Sequence, residues 1–334
     1  MATAYQQISR GEAIKLPPKT TSFQDWGDRL IEYGQSDAIA KELDYWLSQS
    51  SFKVTALPLD YPSGEEDNTL ASAASVSLSL SEEQTRALLQ NVPSAYNTQI
   101  NDVLLTALVQ SFAQWTGERS LLVDLEGHGR EDLFEDVDLS RTVGWFTTLF
   151  PVRVELEEVD HPGEALKLVK EQLRRIPNRG IGYGVLRYLR QDGSTRRKLQ
   201  ALSQAQVSFN YLGQFDQVLS ASAVLGLAKE FKAEQSLVSR RSHLLGVSGF
   251  IRALRLEMTW TYSEKVHQRA TIERLASGFM EALQALIAHC QSPDARGYTP
   301  SDFSAARLSQ KQLDQFLAKV KKTLPDAHAP NLTK

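Results

Sequence analysis

The sequence predicts an α/β fold of the mixed, α+β kind, and three observations carry that prediction. From about residue 70 to residue 290, short segments of period two alternate with segments of helical period. At 334 residues and 42% hydrophobic content, the chain is large enough to bury a real core. Its 37 basic and 40 acidic side chains nearly cancel, which argues against a nucleic-acid binder driven by bulk positive charge and against an acidic disordered tail.

Taken in order, the first fifty residues read as helical. Thr21 or Ser22 caps a helix with Phe23, Trp26, Leu30 and Ile31 on one stripe, after the stiff Leu16-Pro17-Pro18. A second helix over 36–47 aligns Ile39, Leu43 and Trp46. These two tryptophan-bearing faces have little before them to cover the stripe, so self-association of the isolated chain is expected. Residues 51–73 are polar and punctuated by Pro58, Pro62 and Gly64, as in a linker or long loop. Ala74 to Leu80 alternates apolar and hydroxyl residues like a half-buried strand, and Ser81 then caps a helix with Glu82 and Glu83 in its first turn. A strongly apolar helix over 97–116 ends at Gly117. Strands are expected over 120–126, 149–156, 206–211 and 254–262, an amphipathic helix over 160–175 and a long helix over 269–290. Beyond Pro293, Gly297 and Pro300, Ser309 and Gln312 form a capping box before Leu313, Phe316, Leu317 and Val320, a short amphipathic helix that either folds back or docks on another protein.

Cys290 is the sole cysteine, so no internal disulfide or Cys-rich zinc site forms, and a reducing, cytoplasmic setting is expected. The histidines at 128, 161, 243, 267, 289 and 328 lack metal-ligand spacing. Residues 1–10 lack the apolar core of a signal peptide, and apolar runs such as 103–109 and 144–154 are too short to span a membrane.

The chemistry-bearing segment is 124–131, where a strand runs into a charged turn with glycines at 127 and 129. A partly desolvated carboxylate there, such as Glu126, would move protons near neutral pH. The alternative is a structural ion pair of Glu126 or Glu131 with Arg130 or Arg141. Alone, His128 is a weak signal. Residues 141–151 (RTVGWFTTLFP) read as a buried strand with a bulge at Gly144. In 177–184 (PNRGIGYG), positive φ at Gly180, Gly182 and Gly184 explains the glycines better than a phosphate loop does, since the Lys-Ser/Thr ending is missing. Asn210 and Tyr211 put an amide and a phenol at a strand end. The basic clusters Arg196-Arg197-Lys198 and Arg240-Arg241 read as solvated, though either could meet a phosphate.

In order, NDVLLTAL (101–108), LEGHGRE (125–131), RTVGWFTTLFP (141–151), PNRGIGYG (177–184) and FNYLGQ (209–214) resemble the motifs of epimerization domains of non-ribosomal peptide synthetases. Those belong to the condensation-domain superfamily, with a chloramphenicol-acetyltransferase-like fold. KTTSFQDWGDRL (19–30) and GYTPSDF (297–303) extend the resemblance over nearly the whole chain. The family's HHxxxDG has no counterpart here, since no two histidines are adjacent.

The resemblance implies a residual end of an N-terminal lobe over 1–50, a linker over 51–73, a C-terminal lobe over 74–290, and an interdomain linker with a possible docking helix over 291–334. It implies a substrate held as a thioester on the 4′-phosphopantetheine of a peptidyl carrier protein, with no intrinsic cofactor or metal. By motif, Glu126 is the catalytic acid/base that inverts Cα, while Arg130, His128, Asn210 and Tyr211 line the substrate site. Its partners would be the missing lobe, other synthetase modules, and a downstream synthetase reached through 309–322. Two alternatives stand beside epimerization: an inactive fragment that only binds or docks, and condensation by acyl transfer. Without the histidine motif, this chain by itself is expected not to epimerize.

Overall fold

The structure is a computed structural model and describes residues 2–49, 54–214, 236–293, 295–306 and 308–323. Six strands, β1 (Ala73–Ser79), β2 (Ser120–Gly127), β3 (Thr148–Glu155), β4 (Val207–Gln214), β5 (Leu245–Arg252) and β6 (Arg255–Ser263), form one mixed sheet in the order β1-β6-β5-β4-β2-β3. The β2/β4 and β4/β5 pairs are parallel and the others antiparallel. Successive side chains alternate between faces, so Val76, Val123, Phe209, Val247, Met258 and Trp260 share one apolar face and are buried. The helices Ile100–Thr116 and Arg269–Cys290 cover that face, with Phe112 and Phe279 packed on the Trp260 ring. No described helix is long and apolar enough to cross a membrane.

Two elements depart from the sequence-based expectation. β5 lies inside the sheet although no strand is expected there: Gly246 and Gly249 depress its strand propensity, and Gly249 is required because a Cβ there would meet the Met258 sulfur at 2.5 Å. Residues 141–147 are not a buried strand. They form a loop in which Val143 and Trp145 are 93% and 83% exposed, and pairing begins only at Thr148.

The tryptophan stripes are covered after all. Trp26, on the helix Phe23–Tyr33, packs among Leu139, Phe146 and Ile181, and Trp46, on Leu43–Gln49, meets Phe150 and Tyr183. Neither tryptophan is left as an open face, although Phe23 and Ile31 stay about half exposed. Residues 54–72 are tied to the lobe, Leu57 N–H donating to Gln206 and Tyr61 N–H to Val266. Past the long helix, the buried Lys170 ammonium donates to Tyr96 O at 2.8 Å and to Asp302 at 2.7 Å, pinning residues 299–302 to the lobe. Of the tail helix Gln310–Thr323, Leu313 is buried and Phe316 exposed.

The NDVLL segment has a structural role. Asp102 is fully buried and accepts two bonds from Arg174, at 2.9 and 2.7 Å, joining Ile100–Thr116 to the helix Pro162–Arg174. Asp102→Ala strands that guanidinium, so urea denaturation should show a loss of about 3 kcal/mol; a loss below about 1 kcal/mol would mean that packing alone joins the helices.

Candidate active site

The alternation that buries one face of the sheet makes the other face polar. Asp124 and Glu126 of β2 share it with Ser208 and Asn210 of β4, Ser248 of β5, Thr259 and Thr261 of β6, and Ser75 and Ser77 of β1. Ser77 and Thr259 hydroxyls bond across the ladder at 2.9 Å.

Glu126 stands near the end of β2, open to solvent, with its Oε2 accepting from Asn210 Nδ2 at 2.5 Å. It enters no ion pair among the described residues. Partial burial raises its pKa above the usual carboxylate range, against a smaller opposing pull from His243. A carboxyl whose pKa is raised and whose orientation is fixed by an amide suits proton transfer at a weakly acidic C–H.

Of the five residues expected at the site, the structure joins Glu126 and Asn210. Tyr211, next along β4, projects to the opposite face, half-buried against the core, and burial pushes its hydroxyl up to about 12. Arg130 turns to the following loop: it donates to Leu139 O at 2.5 Å and Thr142 O at 2.8 Å, with its guanidinium 4.0 Å from the Phe146 ring centroid. His128 accepts from Arg130 N–H at 3.0 Å and lies 3.4 Å from Glu131. The ion pair considered for the acids therefore has other partners, since Glu131 faces His128 and Arg179 while Arg141 donates to Pro18 O.

Close approach of the chain explains two glycines. Gly129, at φ +68°, lies where a Cβ would sit 1.7 Å from Phe146 O, and Gly180, at φ +93°, where it would strike the Phe150 ring. In 177–184 the positive φ falls on Asn178, Arg179 and Gly180 rather than on Gly182 and Gly184, which are helical.

A further constellation is not visible in the sequence. His243 Nε2 bonds Asp124 Oδ2 at 2.8 Å, and Ser242 Oγ bonds His243 Nδ1 at 2.9 Å. No spacing signals a pair 119 residues apart; only the position of Asp124 on the same face as Glu126 hints at it. Asp124 and His243 help line a cleft of about 590 Å³ whose apolar walls include Trp26, Phe146, Leu149 and Tyr183.

Known proteins share this fold. The family model described as "Condensation domain" matches residues 1–309. A linear gramicidin synthase of Brevibacillus parabrevis is 48% identical over 318 residues, 95% of this chain but 4% of that polypeptide. Tyrocidine synthase 1 of the same organism is 37% identical, covering 97% of this chain and 30% of its own length. The chain thus spans a small part of these relatives. Among solved structures, the epimerization domain from the third module of tyrocidine synthetase B superposes with a TM-score of 0.79 at 34% identity, over 86% of this chain and 64% of that one. The X-domain from teicoplanin biosynthesis, at TM-score 0.58 and 20% identity over 86% and 64%, shares the fold. With a single model matching nearly its whole length, the chain belongs to the condensation-domain family of non-ribosomal peptide synthetases.

Proposed function

We propose that this chain supplies one side of an amino-acid epimerization site, with Glu126 as the acid/base on an aminoacyl or peptidyl thioester carried by the 4′-phosphopantetheine of a peptidyl carrier protein. The observation that carries the reading is the Glu126 carboxyl itself: raised in pKa, free of an ion pair among the described residues, oriented by Asn210, and placed on the open polar face. Its likeness to a solved epimerization domain supports this reading over acyl transfer.

In the reaction, the Cα–H bond breaks and its proton passes to a Glu126 oxygen. The electron pair moves toward the thioester carbonyl, and a proton returns to Cα from the other side. Inversion therefore needs a second group opposite Glu126. Asn210 keeps the Glu126 carboxyl aimed. Arg130 and His128 hold the turn behind it, and Tyr211 braces the strand that carries Asn210. No resident cofactor takes part.

A second reading, a module that binds the carrier or docks without inverting, is favoured by one observation: the six histidines include no adjacent pair, so no HHxxxDG group of this chain serves the opposite face. The exposed Phe316 on the tail helix is where a downstream synthetase would dock. Chiral analysis of an aminoacyl-carrier protein separates the two. The chain alone should give no inversion, addition of a polypeptide bearing the HHxxxDG lobe should restore it, and Glu126→Gln should abolish it. Inversion persisting in the Glu126→Gln protein would remove Glu126 from the reaction; binding without inversion in the supplemented mixture would favour the second reading.

The pH dependence has a definite sign. As a base, Glu126 must be ionised, so the rate of Cα exchange should fall as pH drops through its raised pKa. His243→Gln removes the charge that holds that pKa down, and the acidic limb should move to higher pH. An unmoved limb would show that another group controls it.

A further inference from the structure

Of the two arginines that the sequence suggests are solvated, Arg240 is exposed and Arg241 is partly buried. Arg241 Nη1 donates to Asn68 Oδ1 at 3.0 Å and Leu244 O at 3.2 Å, and its Nη2 to Thr261 O at 2.8 Å. A guanidinium carries five N–H donors, so Nε–H and one Nη2–H have no partner among the described residues. The Nε is not among the buried, unpartnered nitrogens and so reaches solvent. Arg240 uses Nε and Nη2 on a single acceptor, the carbonyl of Glu66, at 3.3 and 2.9 Å, which leaves its Nη1 free.

These acceptors of the two guanidinium groups are all neutral, and neither group has a carboxylate within ion-pair distance among the described residues. Burial lowers the Arg241 pKa, as expected of a desolvated cation lacking a counter-charge. Both arginines line a cavity of about 570 Å³ with Ser208, Ser239, Ser242 and Thr261. His243 completes the polar wall, and no carboxylate of the described residues lines this cavity, although both arginines also border a neighbouring one that Glu65 and Glu66 line.

The wall is built before any ligand arrives. Thr69 and Arg240 form a β-bridge, Arg241 N–H donates to Asn68 O at 2.8 Å, and Leu70 N–H to Ser239 O at 2.9 Å. Preorganised guanidinium donors beside hydroxyls suit a ligand with several anionic oxygens, and such charge-assisted bonds are the stronger kind.

We propose that the Arg240–Arg241 cavity is a binding site for a phosphate-class oxyanion. It does not rest on the chemistry assigned to Glu126. The full chain, labelled with ¹⁵N at arginine, is titrated with inorganic phosphate at constant ionic strength while the Nε–H signals are followed. Saturable shifts are expected for phosphate and none for acetate. Arg240→Gln, an exposed position whose fold is checked by circular dichroism, should weaken the apparent affinity about tenfold, the loss of a charge-assisted hydrogen bond. Arg240→Lys, which keeps the charge but not the fork, should fall between. Pantetheine 4′-phosphate binding more tightly than inorganic phosphate, with pantetheine inert, would place the site on an arm-borne phosphate; equal affinities would make free phosphate the occupant. A response that does not saturate, that acetate reproduces, or that Arg240→Gln leaves unchanged would overturn the proposal.

Discussion

The two-sidedness of the sheet is the constraint on which the rest depends. Apolar residues at every second position of β1, β2, β4 and β6 make a face that must be buried, and the helices Ile100–Thr116 and Arg269–Cys290 are its cover. The same alternation sends serines, threonines, an asparagine and carboxylates, Asp124 and Glu126 among them, to the opposite face. A one-residue slip of β2 against β4 would put Leu125 where Glu126 stands and bury the acid. Packing on one side thus sets the chemistry available on the other, and the 2.5 Å bond between Asn210 and Glu126 results from that register.

Legibility follows the strength of each local signal. β1 is readable from Ala74 to Leu80 because hydroxyls alternate with apolar residues, and β6 because bulky β-formers mark one face. β5 hides because its polar and packing positions include glycines, and at Gly249 a side chain would crowd Met258. Residues 141–147 mislead in the opposite sense. Val143 and Trp145 look like core residues, yet the chain here must turn so that Phe146 reaches Trp26 and Arg130 reaches two carbonyls. Apolar composition alone does not reveal that turn.

At the site, what a strand end presents is legible and what folds back to it is not. The turn after Glu126, with its glycines, and the amide of Asn210 are local features of motifs in the chain. The face parity that separates Tyr211 from Asn210 follows from the strand period, but that period does not say which face is the working one. The partnership of His243 with Asp124 depends on the parallel alignment of β2, β4 and β5, a long-range arrangement that no window of sequence contains. Arg241 misleads for the same reason: two consecutive arginines look solvated until the segment 68–71 pairs with them and supplies neutral acceptors.

Charge on the polar face is mixed along its length: Arg153 and Glu155 of β3 pair at 2.9 Å, and Glu257 of β6 shares the face with Thr259. Asp124 and Glu126 place negative charge on β2, while Arg240 and Arg241 place positive charge before β5. His243 stands between, hydrogen-bonded to Asp124 on one side and lining the arginine cavity on the other. Had an arginine paired with Glu126, its positive charge would have lowered the carboxyl pKa. Arg240 and Arg241 instead donate to neutral oxygens of residues 66–68, and it is partial burial, against the pull of His243, that raises the Glu126 pKa.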